Sequence, residues 1–194
     1  VPPKASIVAK GHRTREAPMP CQGPVHIRRA VVADAAGIAN VYIAGWQEAH
    51  AGLVPAEYSA CVRAKSREEF WRDELAVEAP DRKPWVALID ERIVGFASGG
   101  LSRDDDAEPG FGEIYQVYVD PPCWGRGIGT NLLRHVVRDL HAHGFDRAVL
   151  WLIPANESAR AFAEKRGWRA DGTTRVEDCG GAQVELARYQ HALS

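Results

Sequence analysis

Cysteine is scarce and scattered. Cys21, Cys61, Cys123 and Cys179 form no Cys-x-x-Cys pair, so their spacing suggests neither a zinc site nor a disulfide framework. No apolar run approaches the roughly 20 residues that a bilayer span needs, and the first residues hold no apolar stretch of the secretory-signal kind. Positive charge is not in excess: 24 Lys and Arg stand against 26 Asp and Glu, a formal net charge of −2. That balance argues against a general nucleic-acid binder. His141 and His143 stand at alternate positions, which face different ways on a helix, so no metal pair is expected. There are no internal repeats. These absences leave a cytoplasmic enzyme as the expectation.

What is present fits a single domain. The chain has 194 residues, 45% of them hydrophobic and 26% charged, ordinary values for a globular protein with a core of useful size. Residues 1–24 carry Pro2, Pro3, Pro18, Pro20 and Pro24 without periodicity. They read as a flexible or extended tail ahead of a domain at 25–194, with an ordered arm in a homodimer as the other possibility.

The chain is organised around residues 113–140. Glu113-Ile114-Tyr115-Gln116-Val117-Tyr118-Val119 is a β-branched and aromatic run that predicts a buried strand. Asp120-Pro121-Pro122 stops it, because proline lacks a donor for the ladder. The loop Trp124-Gly125-Arg126-Gly127-Ile128-Gly129-Thr130 follows, and then Ile128, Leu132, Leu133, Val136, Val137 and Leu140 mark one face of a helix. Strand, glycine loop and helix together present bare backbone N–H groups to a phosphate. A Walker loop would need a lysine where Gly129-Thr130-Asn131 has none, and a dinucleotide fingerprint would need a third glycine where Thr130 stands. Both are excluded.

Around this centre the pattern predicts a strand at 25–30, a helix at 35–46 capped by Asp34, a short helix opened by Pro55, and a helix at 66–77 capped by Ser66. Strands at 84–89 and 93–99 form a hairpin about Asp90-Glu91-Arg92. After the central helix come a strand at 147–153, a helix at 156–166 ended by Gly167-Trp168, and strands at 168–171 and 182–189.

Arg126-Gly127-Ile128-Gly129 resembles the coenzyme A loop of the GNAT superfamily of N-acetyltransferases, Gln/Arg-x-x-Gly-x-Gly/Ala, with Trp124 in place of the Gln or Arg. Asn156-x-x-Ala159-x-x-Phe162-x-x-x-x-Gly167-Trp168 is similar to a second segment of that family at the same spacing. The element order agrees over nearly the whole chain outside the tail. The resemblance implies an α/β (α+β) GNAT fold: a mixed central sheet of about six to seven strands, splayed at its centre and flanked by helices.

The resemblance also implies acetyl-CoA as cosubstrate and no metal. The backbone of Val117, Tyr118 and Val119 would pair with the pantetheine arm, Trp124, Gly125, Arg126, Gly127, Ile128, Gly129 and Thr130 would cradle the pyrophosphate, and Asn156 and Phe162 would complete the site. Asn156 reads equally as a helix cap after Pro154.

Acetyl transfer to an amine needs a proton acceptor. Glu113, at the start of the central strand, is the leading candidate, and His50 with Glu48 comes next. The family's tyrosine after the phenylalanine is Ala163 here, which leaves Tyr115, Tyr118, Ser158 or water to protonate the departing thiolate. Asp104-Asp105-Asp106 with Glu108 reads as a solvated loop tip, or as an attractor for a cationic amine. The expected activity is N-acetylation of a primary amine on a small molecule, peptide or protein. The other reading is an acyl-CoA-binding sensor with little catalysis. No nucleic-acid or membrane partner is expected, and monomer and homodimer both stay open.

Overall fold

The computed structural model describes residues 21–53, 64–77, 83–107, 109–179 and 182–193. Most of the tail, Cys61, the helix expected at Pro55 and Glu108 lie outside these residues. Among those described, the elements run β1 (His26–Arg29), α1 (Ala35–His50), α2 (Ala64–Ala76), β2 (Trp85–Ile89), β3 (Arg92–Leu101), β4 (Phe111–Val119), α3 (Ile128–Ala142), β5 (Arg147–Leu152), α4 (Glu157–Glu164), β6 (Arg169–Cys179) and β7 (Ala182–Ala192). The strands form one sheet in the order β1-β2-β3-β4-β5-β7-β6. Every pair is antiparallel except β4 with β5.

That parallel pair is short. Phe111, Gly112 and Glu113 oppose Arg147, Ala148 and Val149, and the pairing ends there although both strands continue. On its other side β4 stays paired with β3 up to Val119. A bulge lies at the point of departure: Ser98 opposes Gln116 but Gly99 opposes Ile114, leaving Tyr115 as the extra residue. A bulge adds local twist, which turns β4 away from its parallel neighbour. The expected mixed and splayed sheet is therefore present.

Two apolar layers hold the sheet. On one face, α1 and α2 bury Tyr42, Trp46, Trp71 and Leu75 against Phe96 and Tyr118, with ring centroids 5.0 Å apart for Tyr42 and Tyr118 and 5.3 Å for Trp71 and Phe96. Gly45 permits this approach, because a Cβ there would stand 3.0 Å from the Tyr118 ring. On the other face, α3 buries Ile128, Leu132, Leu133, Val136 and Leu140, the stripe that the spacing predicts. No described helix is long and apolar enough to cross a membrane.

Several expectations need correction. Asp34 does not cap α1 through its side chain. Its carboxylate accepts from the Val31 N–H at 2.8 Å and from Arg28 at 2.6 and 2.9 Å. Strand β6 is far longer than 168–171: Asp171-Gly172 resembles a turn in sequence, but Gly172 has φ +87° and the ladder resumes at Thr174 after a bulge. Cys21 and Cys123, 102 positions apart in sequence, are joined as a disulfide with their Cα atoms 5.2 Å apart. Spacing could not reveal this pair, because the sheet rather than the local chain brings them together.

Candidate functional site

The glycine loop ends at the first turn of α3. Gly127 caps the helix in the left-handed region, φ +78°, and Gly125 has φ +82°. A side chain is strained in that region, and nothing lies within 4 Å of a Cβ built at either position. The loop therefore faces open space with bare backbone. The Asn131 N–H bonds the Gly127 carbonyl at 3.0 Å, which leaves the amides of Ile128, Gly129 and Thr130 at the positive end of the helix dipole.

A cleft of about 440 Å³ lies over this loop, bounded by Val119 on one side and by Ser158, Phe162, Lys165 and Arg166 of the α4 region on the other. The Phe162 ring passes 3.4 Å from the Cβ position of Gly129, an ordinary packing distance. Arg166 lies flat over Phe162, 3.6 Å from the ring centre, and bonds the Thr130 hydroxyl through Nε at 3.1 Å. Burial lowers its pKa from the ordinary arginine value. Arg126 has another use: its guanidinium donates to the carbonyls of Cys21, at 2.5 Å, and Gly23, at 2.8 Å.

The second half of β4 forms the floor of the opening. The Asp120 N–H donates to the Val94 carbonyl at 2.9 Å. By antiparallel alternation Tyr118 and Gln116, opposite Phe96 and Ser98, turn their backbones toward β3. Val117 and Val119 then turn theirs to the side that β5 has left. Trp124 Nε1 takes the Val119 carbonyl at 2.7 Å. Tyr118 is a correction, since its backbone engages β3 and its ring is buried under α1.

Asn156 joins the helices that flank the opening. Its Oδ1 accepts from the Ala159 N–H at 3.0 Å, capping α4, and its Nδ2 donates to the Ala49 carbonyl at 3.3 Å. The next residue, His50, is 3% exposed. Its Nδ1 lies 2.8 Å from the Trp46 carbonyl, an acceptor, so the proton sits on Nδ1 and the lone pair on Nε2. Burial pushes the imidazole pKa down to about 4, only partly countered by that hydrogen bond. The ring is neutral across the physiological range.

Glu113 occupies the last position at which β4 and β5 still pair. It is wholly buried, and both of its oxygens are engaged: Oε2 by the Arg103 N–H at 2.9 Å, Oε1 by Arg103 Nη2 at 2.6 Å. Tyr115 donates its hydroxyl proton to the Leu101 carbonyl at 2.7 Å and packs under the same guanidinium. These two expected catalytic residues thus hold the end of the β3–β4 loop. Ala163 is wholly buried within the α3-side apolar layer rather than lining the cleft.

The acidic loop is solvated at Asp105 and Asp106 but not at Asp104. The Asp104 side chain is 4% exposed; it accepts from Trp151 Nε1 at 3.1 Å, Arg175 at 3.0 Å and Arg188 at 3.3 Å. Burial would lower the Arg188 pKa, but hydrogen bonds to Asp171 and Asp106 raise it above the ordinary value. The loop is clamped onto β6 and β7.

A model of the Acetyltransferase (GNAT) family matches residues 46–168, from the last turn of α1 to Trp168. The chain belongs to the GNAT acetyltransferase family. It is 28% identical over 137 residues to the uncharacterized N-acetyltransferase YuaI of Bacillus subtilis, covering 69% of this chain and 75% of that one. It is 27% identical over 158 residues to phosphinothricin N-acetyltransferase of Streptomyces viridochromogenes, covering 81% of each. The PaiA N-acetyltransferase of Thermoplasma acidophilum, solved in complex with coenzyme A, superposes with a TM-score of 0.68 at 18% identity, over 87% of this chain and 99% of that one.

Family motifs point to the glycine loop and Asn156 but miss part of the lining of this cleft. Lys165 and Arg166 bring positive charge to the cleft, yet in sequence they read as ordinary basic residues at a helix C-terminus. The Asp104, Trp151, Arg175 and Arg188 cluster joins four separate segments, so no local pattern could show it. Among the described residues no group of three or more His, Cys, Asp or Glu side chains is placed to hold a metal ion.

Proposed function

We propose that this chain transfers an acetyl group from acetyl-CoA to the primary amine of a small molecule. One observation carries the reading: β4 stops pairing with β5 after Glu113, and Val119 at its end borders the cleft over the bare amides of the glycine loop, which Lys165 and Arg166 also line. Those amides and cations suit a pyrophosphate. The outward backbone of Val117 and the N–H of Val119 suit the pantetheine amides, as an added strand would. The relative named for phosphinothricin and the neighbour crystallised with coenzyme A support this choice of substrates. A coenzyme A sensor without turnover is not favoured, since the relatives are named as N-acetyltransferases.

The amine must arrive neutral. An alkyl ammonium with a pKa of ~10.4 leaves roughly one molecule in 10³ uncharged at neutral pH. Its nitrogen forms a bond to the acetyl carbon, the carbon–sulfur bond breaks, and the nitrogen sheds a proton. His50 Nε2 is the acceptor we assign, since both oxygens of Glu113 are engaged by Arg103; with a pKa of about 4 it holds the proton only in passing, on the way to the departing thiolate. The thiolate, with a parent pKa of ~8.5, departs with modest help, and Ser158 is the serine that lines the cleft. The test is thiol release from acetyl-CoA across polyamines, amino acids, aminoglycosides and peptides. Turnover with one class supports the reading; coenzyme A binding without thiol release from any class would favour the sensor.

A further inference from the structure

The Cys21–Cys123 disulfide lies at the edge of the coenzyme A cleft. Cys123 is wholly buried, lines that cleft and stands two residues before Gly125. Cys21 is partly exposed. The bond carries the segment ahead of β1 onto the glycine loop, and Arg126 of the same loop holds that segment again through the carbonyls of Cys21 and Gly23. Each sulfur also has a guanidinium beside it: Arg126 Nη1 lies 3.4 Å from the Cys21 sulfur and Arg92 Nη2 3.8 Å from the Cys123 sulfur. Arg92 is fixed in turn by Asp120 at 2.7 Å. A cation beside a sulfur favours the thiolate that must leave in exchange.

We propose that Cys21–Cys123 is a thiol-exchange site, and that its oxidised form holds the glycine loop in the geometry that binds coenzyme A. The reductant is a low-molecular-weight thiol. Its sulfur attacks the accessible Cys21 sulfur, the bond to Cys123 breaks, and Cys123 leaves as a thiolate that takes a proton. A second thiol then attacks the mixed disulfide, returning Cys21 as a thiol and releasing the small disulfide. Two electrons enter the protein and two small thiols are oxidised. Opening the bond frees the anchored segment, so the loop must be ordered when ligand binds rather than before it. A reducing compartment would hold the pair open and an oxidising one closed.

The inference rests on the coenzyme A reading of the cleft, and its test separates the two. Desulfo-coenzyme A, which has no thiol to perturb the bond, is titrated calorimetrically into the full chain after mild oxidation and again after reduction with a phosphine. Cys21→Ser is measured under both conditions. Oxidised protein is expected to bind roughly three- to tenfold more tightly than reduced protein, with Cys21→Ser matching the reduced parent in both conditions. Peptide mass mapping after limiting thiol should place the adduct on Cys21. Equal affinities in the two states, an adduct on Cys123, or all four cysteines persisting as thiols after oxidation would each overturn the proposal. No binding in either state would remove the coenzyme A reading and the coupling with it, while mass mapping would still read the bond itself.

Discussion

The side-chain amide of Asn156 donates to the Ala49 carbonyl at 3.3 Å, tying the start of α4 to the last turn of α1 across 107 positions of sequence. His50 is the residue after Ala49, at the end of α1. Asn156→Ala removes this bond and the α4 cap together. The expected loss is about 1 kcal/mol for the cap and a similar amount for the buried bond. Asn156→Asp keeps the cap but sets a carboxylate against a carbonyl. Thermal melts should show both variants below the parent, and turnover should fall further in Asn156→Asp than the stability loss explains.

Turnover separates His50 from Glu113. His50→Gln removes the assigned proton acceptor and should lower kcat by roughly 10²-fold with little change in the KM for acetyl-CoA. Glu113→Gln weakens the hold on Arg103, so it should lower the melting temperature and reduce kcat less than tenfold. The reverse pattern, a large kcat loss in a fully stable Glu113→Gln, would return the role to Glu113.

Stability should depend on pH through His50. Its folded pKa, about 4, lies below the ordinary 6.5. Between these values the unfolded chain binds the extra proton, so stability is complete above pH 6.5 and is lost as pH falls toward 4. The loss is at most about 3 kcal/mol. Denaturant titrations at pH 7 and pH 4.5 should show a drop in the parent that His50→Gln largely lacks. Equal drops in both would remove this account of the imidazole.

Ala163→Tyr restores the side chain that the family motif leads one to expect. Ala163 has no exposed surface and packs in the α3-side layer, so the phenol must displace its neighbours at a cost of roughly 1–3 kcal/mol. We expect a lower melting temperature and no gain in thiol release. Faster release at unchanged stability would show that this face of α4 reaches the cleft.

The sequence makes plain whatever depends on local chemistry. The α3 stripe, the hairpin at Asp90-Glu91 (both at positive φ) and the glycine loop each follow from residues close together in the chain. Long β6 is hidden because Asp171-Gly172 has the composition of a turn and the conformation of a bulge. Glu113 reads as the leading candidate for a base until Arg103, ten positions earlier, folds back on it. Asp104 looks solvated until Trp151, Arg175 and Arg188 reach it from β5, β6 and β7. Family motifs point to the glycine loop for the same local reason, whereas the Asp104 cluster is assembled from residues far apart in sequence.

The central claim is that acetyl-CoA lies in the β4–β5 gap with its pyrophosphate on the Gly127 loop. Calorimetric titration of acetyl-CoA into the parent and into Gly127→Asp tests it most directly. The aspartate adds a Cβ at φ +78° and a negative charge beside the amides of Ile128 and Gly129. The account predicts a folded variant whose affinity falls at least roughly tenfold. A folded Gly127→Asp that binds acetyl-CoA as tightly as the parent would contradict it.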